Sequence, residues 1–289
     1  MLGMSEAKTR APGIYNFWYE QIVQLYTDRH LTKESDRLPA ISALASTMQN
    51  AVLDDYLAGL WRHDLVRGLL WTTRRSPTSI PSQSSARRTR EYRAPSWSWV
   101  SVQGAVDYSH LTVEPDCITI LDVRCDLKSA NSTGEVCAGW LQVVGPITCA
   151  SLIVDYEAST QKATFALFQE GFDDIPIQSN IWLDTPIQEV EVLDSSGEMC
   201  CTAHRAMPES NAQEQPVFGT VTCLLVAESI SKQTGKLVER YFLILGRSQT
   251  YPGAYERLGL LRANRRSTRV PLDESSWSRV LEQKELLIY

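Results

Sequence analysis

The sequence has no CxxC cysteine pair, no glycine-rich phosphate loop and no apolar run long enough to cross a bilayer, and each absence removes a class of protein. Its seven cysteines stand at 117, 125, 137, 149, 200, 201 and 223. The number is odd, only Cys200 and Cys201 are close, and disulfide frameworks belong to much shorter secreted chains. Free thiols in a reducing compartment are expected. The four histidines, His30, His63, His110 and His204, are far apart, and none stands at zinc-ligand spacing from a cysteine. Neither GxGxxG nor GxxxxGK[ST] occurs, and Gly235-Lys236 is followed by Leu237 in a turn-like stretch. GxSxG and HExxH are missing too. No catalytic residue, cofactor or metal is expected. The longest apolar runs fall short of the roughly 18 residues of a membrane helix. Residues 1–14 lack the apolar centre of a signal peptide and read as disordered. The sequon Asn131-Ser132-Thr133 is idle without secretion. A cytoplasmic, intracellular protein follows.

What is present is an ordinary globular composition. Hydrophobic residues make up 43% and charged residues 21%, which argues against wholesale disorder. The formal net charge is −6, so a general nucleic-acid binder is excluded. The 289 residues suffice for one large domain or two modest ones.

Periodicity divides the chain. Residues 15–72 read as a helical subdomain. Trp18, Ile22, Leu25 and Tyr26 line one helix over residues 15–28. Ser35 or Asp36 offers an N-cap, Pro39 fits the first turn, and Leu38, Ile41, Leu44, Ala45 and Met48 form a second stripe. A third helix is predicted over 54–71, with Leu57, Leu60, Trp61, Leu65 and Leu69 on one face. Residues 73–91 form a polar linker, in which the arginines Arg87, Arg88 and Arg90 read as a solvated run. Residues 92–289 read as a β-rich domain. Strands are expected at 111–113, 117–123, 139–147 (ending at Gly145-Pro146), 152–156, 163–168, 181–184 and 255–261. A hairpin joins 221–227 to 240–245 across residues 232–236, and a short helix is predicted at 277–285. The expected class is α+β: a helical subdomain packed on a mainly antiparallel sandwich or irregular barrel.

Single acids such as Asp107 and Asp184 fit turn or cap duty better than catalysis, and Asp54-Asp55, being adjacent, point apart. The segment Arg93-Ala94-Pro95-Ser96-Trp97-Ser98-Trp99-Val100-Ser101 carries more information. On an extended strand Trp97 and Trp99 would share a face, with Ser96 and Ser98 opposite. Arg93 would stack on an indole or clamp a carboxylate, and Pro95 would hold Ala94 extended. A strand pinned into the core outweighs an exposed aromatic platform.

The order Asp36-Arg37-Leu38-Pro39, then Tyr56 to Gly59 and Trp61, then Leu69-Leu70-Trp71, then Arg93 to Ser101 resembles the region downstream of the HET domain in fungal heterokaryon-incompatibility proteins. The likeness spans residues 15–108 and loosens through 139–145 and 255–259. It implies a non-catalytic interaction or regulatory region with a role in fungal non-self recognition and the associated programmed cell death. The implied partner is a protein, such as another incompatibility protein, with no nucleic acid or membrane. The motifs of the HET domain itself do not occur in this sequence, so a truncated product is expected. The alternatives are an enzyme with a pocket between the helical and β parts, or an inactive remnant.

Overall fold

Tyr15, Trp18, Tyr19, Ile22, Val23 and Tyr26 recur at helical steps and turn one broad apolar face inward. They lie on helix α1, π-helical over Phe17–Val23 and α-helical over Gln24–Thr27. The computed structural model describes residues 12–29, 31–74, 87–88, 91–108, 117–157, 162–169, 180–184, 217–231, 233–235, 237–264 and 281–289. A π turn holds more residues than an α turn, which brings Tyr19 and Val23 inward and leaves Leu25, expected on the buried stripe, exposed. A 3₁₀ turn, Glu34–Asp36, leads into helix α2, Arg37–Val52. Pro39 sits in the first turn as predicted, where its missing N–H costs little. Asp36 is the N-cap residue, but its side chain makes no capping bond and accepts the Ser35 hydroxyl instead. Leu38, Ile41, Ala45 and Met48 face the core, whereas Leu44 faces out.

The third predicted helix does not form. Strands β1, Tyr56–Leu57, and β2, Leu60–Trp61, make a tight hairpin. Its turn residues Ala58 and Gly59 have φ of 48° and 102°, the left-handed values that a two-residue turn requires. Leu57, Leu60 and Trp61 suit either a helical stripe or two short arms buried on both faces, and the turn residues decide for the hairpin. A 3₁₀ turn, Arg62–Asp64, and the short helix α3, Leu65–Gly68, complete the stretch.

Strands β3 (Thr72–Thr73), β4 (Arg87–Arg88), β5 (Val102–Gln103) and β6 (Val106–Asp107) form two small ladders, β3 with β6 and β4 with β5. Part of the expected linker is therefore paired strand. Eight longer strands form the main sheet: β7 Thr119–Leu127, β8 Val136–Glu157, β9 Lys162–Gln169, β10 Asn180–Leu183, β11 Val217–Ile230, β12 Leu237–Arg247, β13 Tyr255–Asn264 and β14 Glu282–Ile288. Every pairing is antiparallel except that of Tyr255 with Ile288, which joins β13 to β14. That contact closes a ring of β8, β11, β12, β13 and β14. The predicted β-rich, mainly antiparallel half is present, and so is the β11–β12 hairpin.

Two strand limits differ from the sequence pattern. β8 runs straight through Gly145-Pro146. Pro146 lies opposite Gln283, and on the other edge the β7 pairing has ended at Val144 while the β11 pairing begins at Ile147. On that edge residues 145 and 146 have no partner in either ladder, a place where a strand tolerates proline. Residues 282–285, predicted as helix, belong to β14, where Leu286 and Ile288 alternate inward. The predicted strand at 111–113 and residues 277–280 lie outside the described residues.

One contiguous apolar cluster runs from Tyr15 through Trp18, Leu38, Trp61, Trp71, Trp97 and Trp99 to Leu141, Leu243, Leu286 and Ile288. The helices and the ring therefore share a core. On β12, Tyr241, Leu243 and Leu245 face this cluster, while Phe242 and Ile244 face a second one with Leu183, Cys223 and Leu261. Among the described residues no helix is long and apolar enough to cross a membrane. Trp97 is fully enclosed and its indole N–H bonds no described residue, so its contribution is packing. Trp97→Ala is expected to lower stability by about 3–5 kcal/mol in a denaturant titration; an unchanged midpoint would mean the indole is not part of the core.

Candidate functional site

The segment 93–101 is not a strand. It passes through turns into a 3₁₀ helix, Trp99–Ser101, whose N-cap Ser98 accepts a hydrogen bond from the Val100 amide at 3.0 Å. Because the chain coils, Ser96 and Ser98 do not face away from the tryptophans. All four side chains are buried.

The indole N–H groups show why. Trp99 Nε1 donates to the Gly59 carbonyl at 3.1 Å, and Trp18 Nε1 donates to the same oxygen at 2.9 Å. One carbonyl at the hairpin turn thus gathers a tryptophan from α1 and another from the 93–101 segment. A Cβ on Gly59 would stand 2.6 Å from the Trp99 indole, so both space and φ demand glycine there. The Ser98 hydroxyl donates to the neighbouring Ala58 carbonyl, and Trp71 Nε1 donates to the Trp97 carbonyl at 3.0 Å. Trp61 and Tyr56 pack edge to face with each other and with Trp18, at centroid distances of 5.1–5.7 Å.

The two motif arginines have different partners. Arg37, buried at the start of α2, places its guanidinium 5.4 Å from the centre of Trp99 and donates to the Gly104 carbonyl at 2.9 Å. Burial pushes its pKa down to about 10. Arg93 clamps the Glu34 carboxylate at 3.1 Å, the second of the two roles expected for it. Leu38 lies in the core, Pro95 packs against Gly139 on β8, and Asp36 and Pro39 stay exposed. The structure therefore brings Arg37, Leu38, Tyr56, Gly59, Trp61, Arg93, Pro95, Ser96, Trp97 and Trp99 into one junction, with Asp36 and Pro39 at its rim.

The most heavily engaged member was not a candidate from the sequence. Arg257, on β13, is completely buried. Its Nε donates to Asp184 Oδ2 at 2.9 Å and its Nη2 to Asp184 Oδ1 at 3.2 Å. It also donates to the Leu69 and Trp71 carbonyls, and its plane lies 3.7 Å from the Trp71 ring centre. The Arg257 amide donates to the Ser96 hydroxyl at 2.9 Å, and that hydroxyl donates to the Tyr289 carbonyl. Arg88 donates to the Arg257 carbonyl and stands 3.9 Å from Asp184. The run expected to be solvated thus sends one arginine inward, because a buried carboxylate draws a second cation. Burial raises the pKa of Asp184, opposed by Arg257 and Arg88. Asp184 works as a structural ion-pair partner. Asp107 accepts from Gln24 at 3.1 Å, and His110 lies outside the described residues. An arginine directly before the apolar run Leu258 to Leu261 of β13 is the available signal.

Among the described residues no group of three histidine, cysteine or acidic side chains could hold a metal ion. The junction is filled by indoles, and most of its hydrogen bonds run between its own members, although the Trp61 and Trp97 indole N–H groups and the Tyr56 hydroxyl bond no described residue. It holds geometry. Neither family models, nor curated proteins, nor solved structures show a match to this chain.

One acid nearby does carry a usable titration. Asp64 is buried beneath α1, and burial raises its carboxyl to about 6 while the Arg67 hydrogen bond at 2.6 Å opposes the rise. A raised folded-state pKa means that the folded protein holds the proton more tightly than the unfolded chain. Stability from this group is therefore present below about pH 4 and lost as pH rises to about 6. Asp64→Asn should lack that fall, so the wild-type-minus-variant stability difference in urea titrations should drop by on the order of 2–3 kcal/mol as pH rises through 4 to 6. A difference independent of pH would show that Asp64 is not perturbed.

Proposed function

We propose that this chain is a non-catalytic interaction or regulatory module of the heterokaryon-incompatibility type, acting in fungal non-self recognition. The observation that carries the reading is the convergence of the motif segments. Residues 56–61, 69–71 and 93–101 are far apart in sequence, yet they are bonded around the Gly59 carbonyl and Arg257, and Arg37 from the 36–39 segment lies over the Trp99 ring. A motif set of this kind is the signature of a common fold: its residues specify how the helices seat on the β ring. The seam where an enzyme of this architecture would keep its pocket is occupied by Trp97 and Trp99, which favours binding over chemistry. Specificity toward a protein partner then belongs to the surfaces that the junction holds in place.

The test is a fusion assay. Filamentous fungal strains carrying like or unlike incompatibility alleles express the chain, and death of fused compartments is scored by dye uptake. The expected result is a changed death frequency in at least one unlike pairing, none in self pairings, and loss of the effect with Trp97→Ala. An intact, folded chain that alters no pairing would overturn the proposal.

A further inference from the structure

Away from the junction, one pair of titratable groups is built in a way that interaction alone does not require. Asp54, which follows α2, is fully enclosed, with a side-chain exposure of 0%. Its carboxylate accepts the Tyr15 hydroxyl at 2.8 Å, the Asp55 amide at 2.8 Å, the His63 amide at 3.1 Å and His63 Nδ1 at 2.6 Å. The β1–β2 hairpin makes this possible, because it returns the chain so that residue 63 meets residue 54. A carboxylate ringed by donors accepts at Nδ1, so Nδ1 carries the imidazole proton and Nε2 keeps its lone pair. The ring is 71% exposed, and Nε2 bonds no described residue. A buried acid thus fixes the tautomer and orientation of an imidazole whose basic nitrogen faces solvent, the arrangement that activates histidine.

Arg62, the preceding residue in the chain, is 40% exposed. Its Nε holds Asp55 at 2.8 Å and its Nη2 holds the Val123 carbonyl at 3.0 Å, while Nη1 bonds no described residue. The guanidinium is braced on two sides with one arm open, a disposition suited to a phosphate oxygen. An open setting lined by charged groups does not suit an apolar substrate.

We propose that His63 Nε2 is a phosphoryl-accepting site, oriented by Asp54 and served by Arg62 as the anion-binding arm. The Nε2 lone pair attacks the phosphorus of a small phosphoryl donor. With phosphoramidate, whose nitrogen is already protonated, the new N–P bond forms as the donor N–P bond breaks, and ammonia leaves with the electron pair. The positive charge left on the ring is held by the Nδ1–H hydrogen bond to the Asp54 carboxylate. No oxidant or metal enters the balance.

The experiment uses the full chain and phosphoramidate, with the phosphorylated histidines mapped by peptide mass spectrometry under non-acidic conditions and confirmed by phosphorus NMR. His30, His110 and His204 are internal comparators. His63 is expected to react at least about tenfold faster than each of them, the scale at which an orienting acid acts. Asp54→Asn should bring His63 to the comparators' level with an unchanged circular dichroism spectrum, and Arg62→Gln should slow it without moving the other three. Equal labelling of all four histidines in the wild-type chain overturns the proposal, as does an Asp54→Asn chain that labels His63 at the wild-type rate. The wild-type ranking and Arg62→Gln decide the matter even if Asp54→Asn does not fold.

Discussion

The guanidinium of Arg257 has nowhere to go but inside the protein, and much of the structure is arranged around satisfying it. It leaves β13 beneath Trp71, binds Asp184 at the end of β10 and caps the carbonyls of Leu69 and Trp71. A buried cation without such partners is costly by several kcal/mol, and the pair is tolerated because its hydrogen bonds are completed by main-chain oxygens. Those oxygens belong to the segment after α3, whereas the acid belongs to the β half. The same side chain therefore ties together two regions far apart in sequence. Arg88 adds a second cation from β4 and draws that short strand against the ring.

The tryptophan junction depends on this anchor. Trp71, stacked on Arg257, donates to the Trp97 carbonyl, and the Ser96 hydroxyl takes the Arg257 amide. Trp99 and Trp18 then meet at Gly59. Each indole combines a large apolar surface with one N–H, so it can fill the seam and satisfy a buried carbonyl at once. This is why tryptophan recurs in the motif, and why its residues define an architecture.

Much of this was legible in the sequence, and the remainder was hidden for identifiable reasons. The α2 stripe, Pro39 in its first turn and the β11–β12 hairpin are local patterns, and local patterns transfer to structure. The hairpin at Ala58-Gly59 was read as helix because its apolar spacing fits both periods and only the backbone conformation separates them. Trp97 and Trp99 were expected in the core and are there, but a 3₁₀ turn puts them there. Arg257, Arg88 and the Asp54–His63 pair could not be found by spacing, since their partners lie 9 to 188 residues away. The β8 strand passes its proline because two neighbouring ladders change over at that point, a fact of pairing invisible in one strand.

The most direct measurement is urea unfolding of Arg257→Met followed by tryptophan fluorescence. Removing the guanidinium strands a buried Asp184 and uncaps two carbonyls, so the variant should lose about 3–5 kcal/mol in a single cooperative transition. A loss below about 1 kcal/mol, the scale of an exposed ion pair, would contradict the claim that the fold is assembled around this residue.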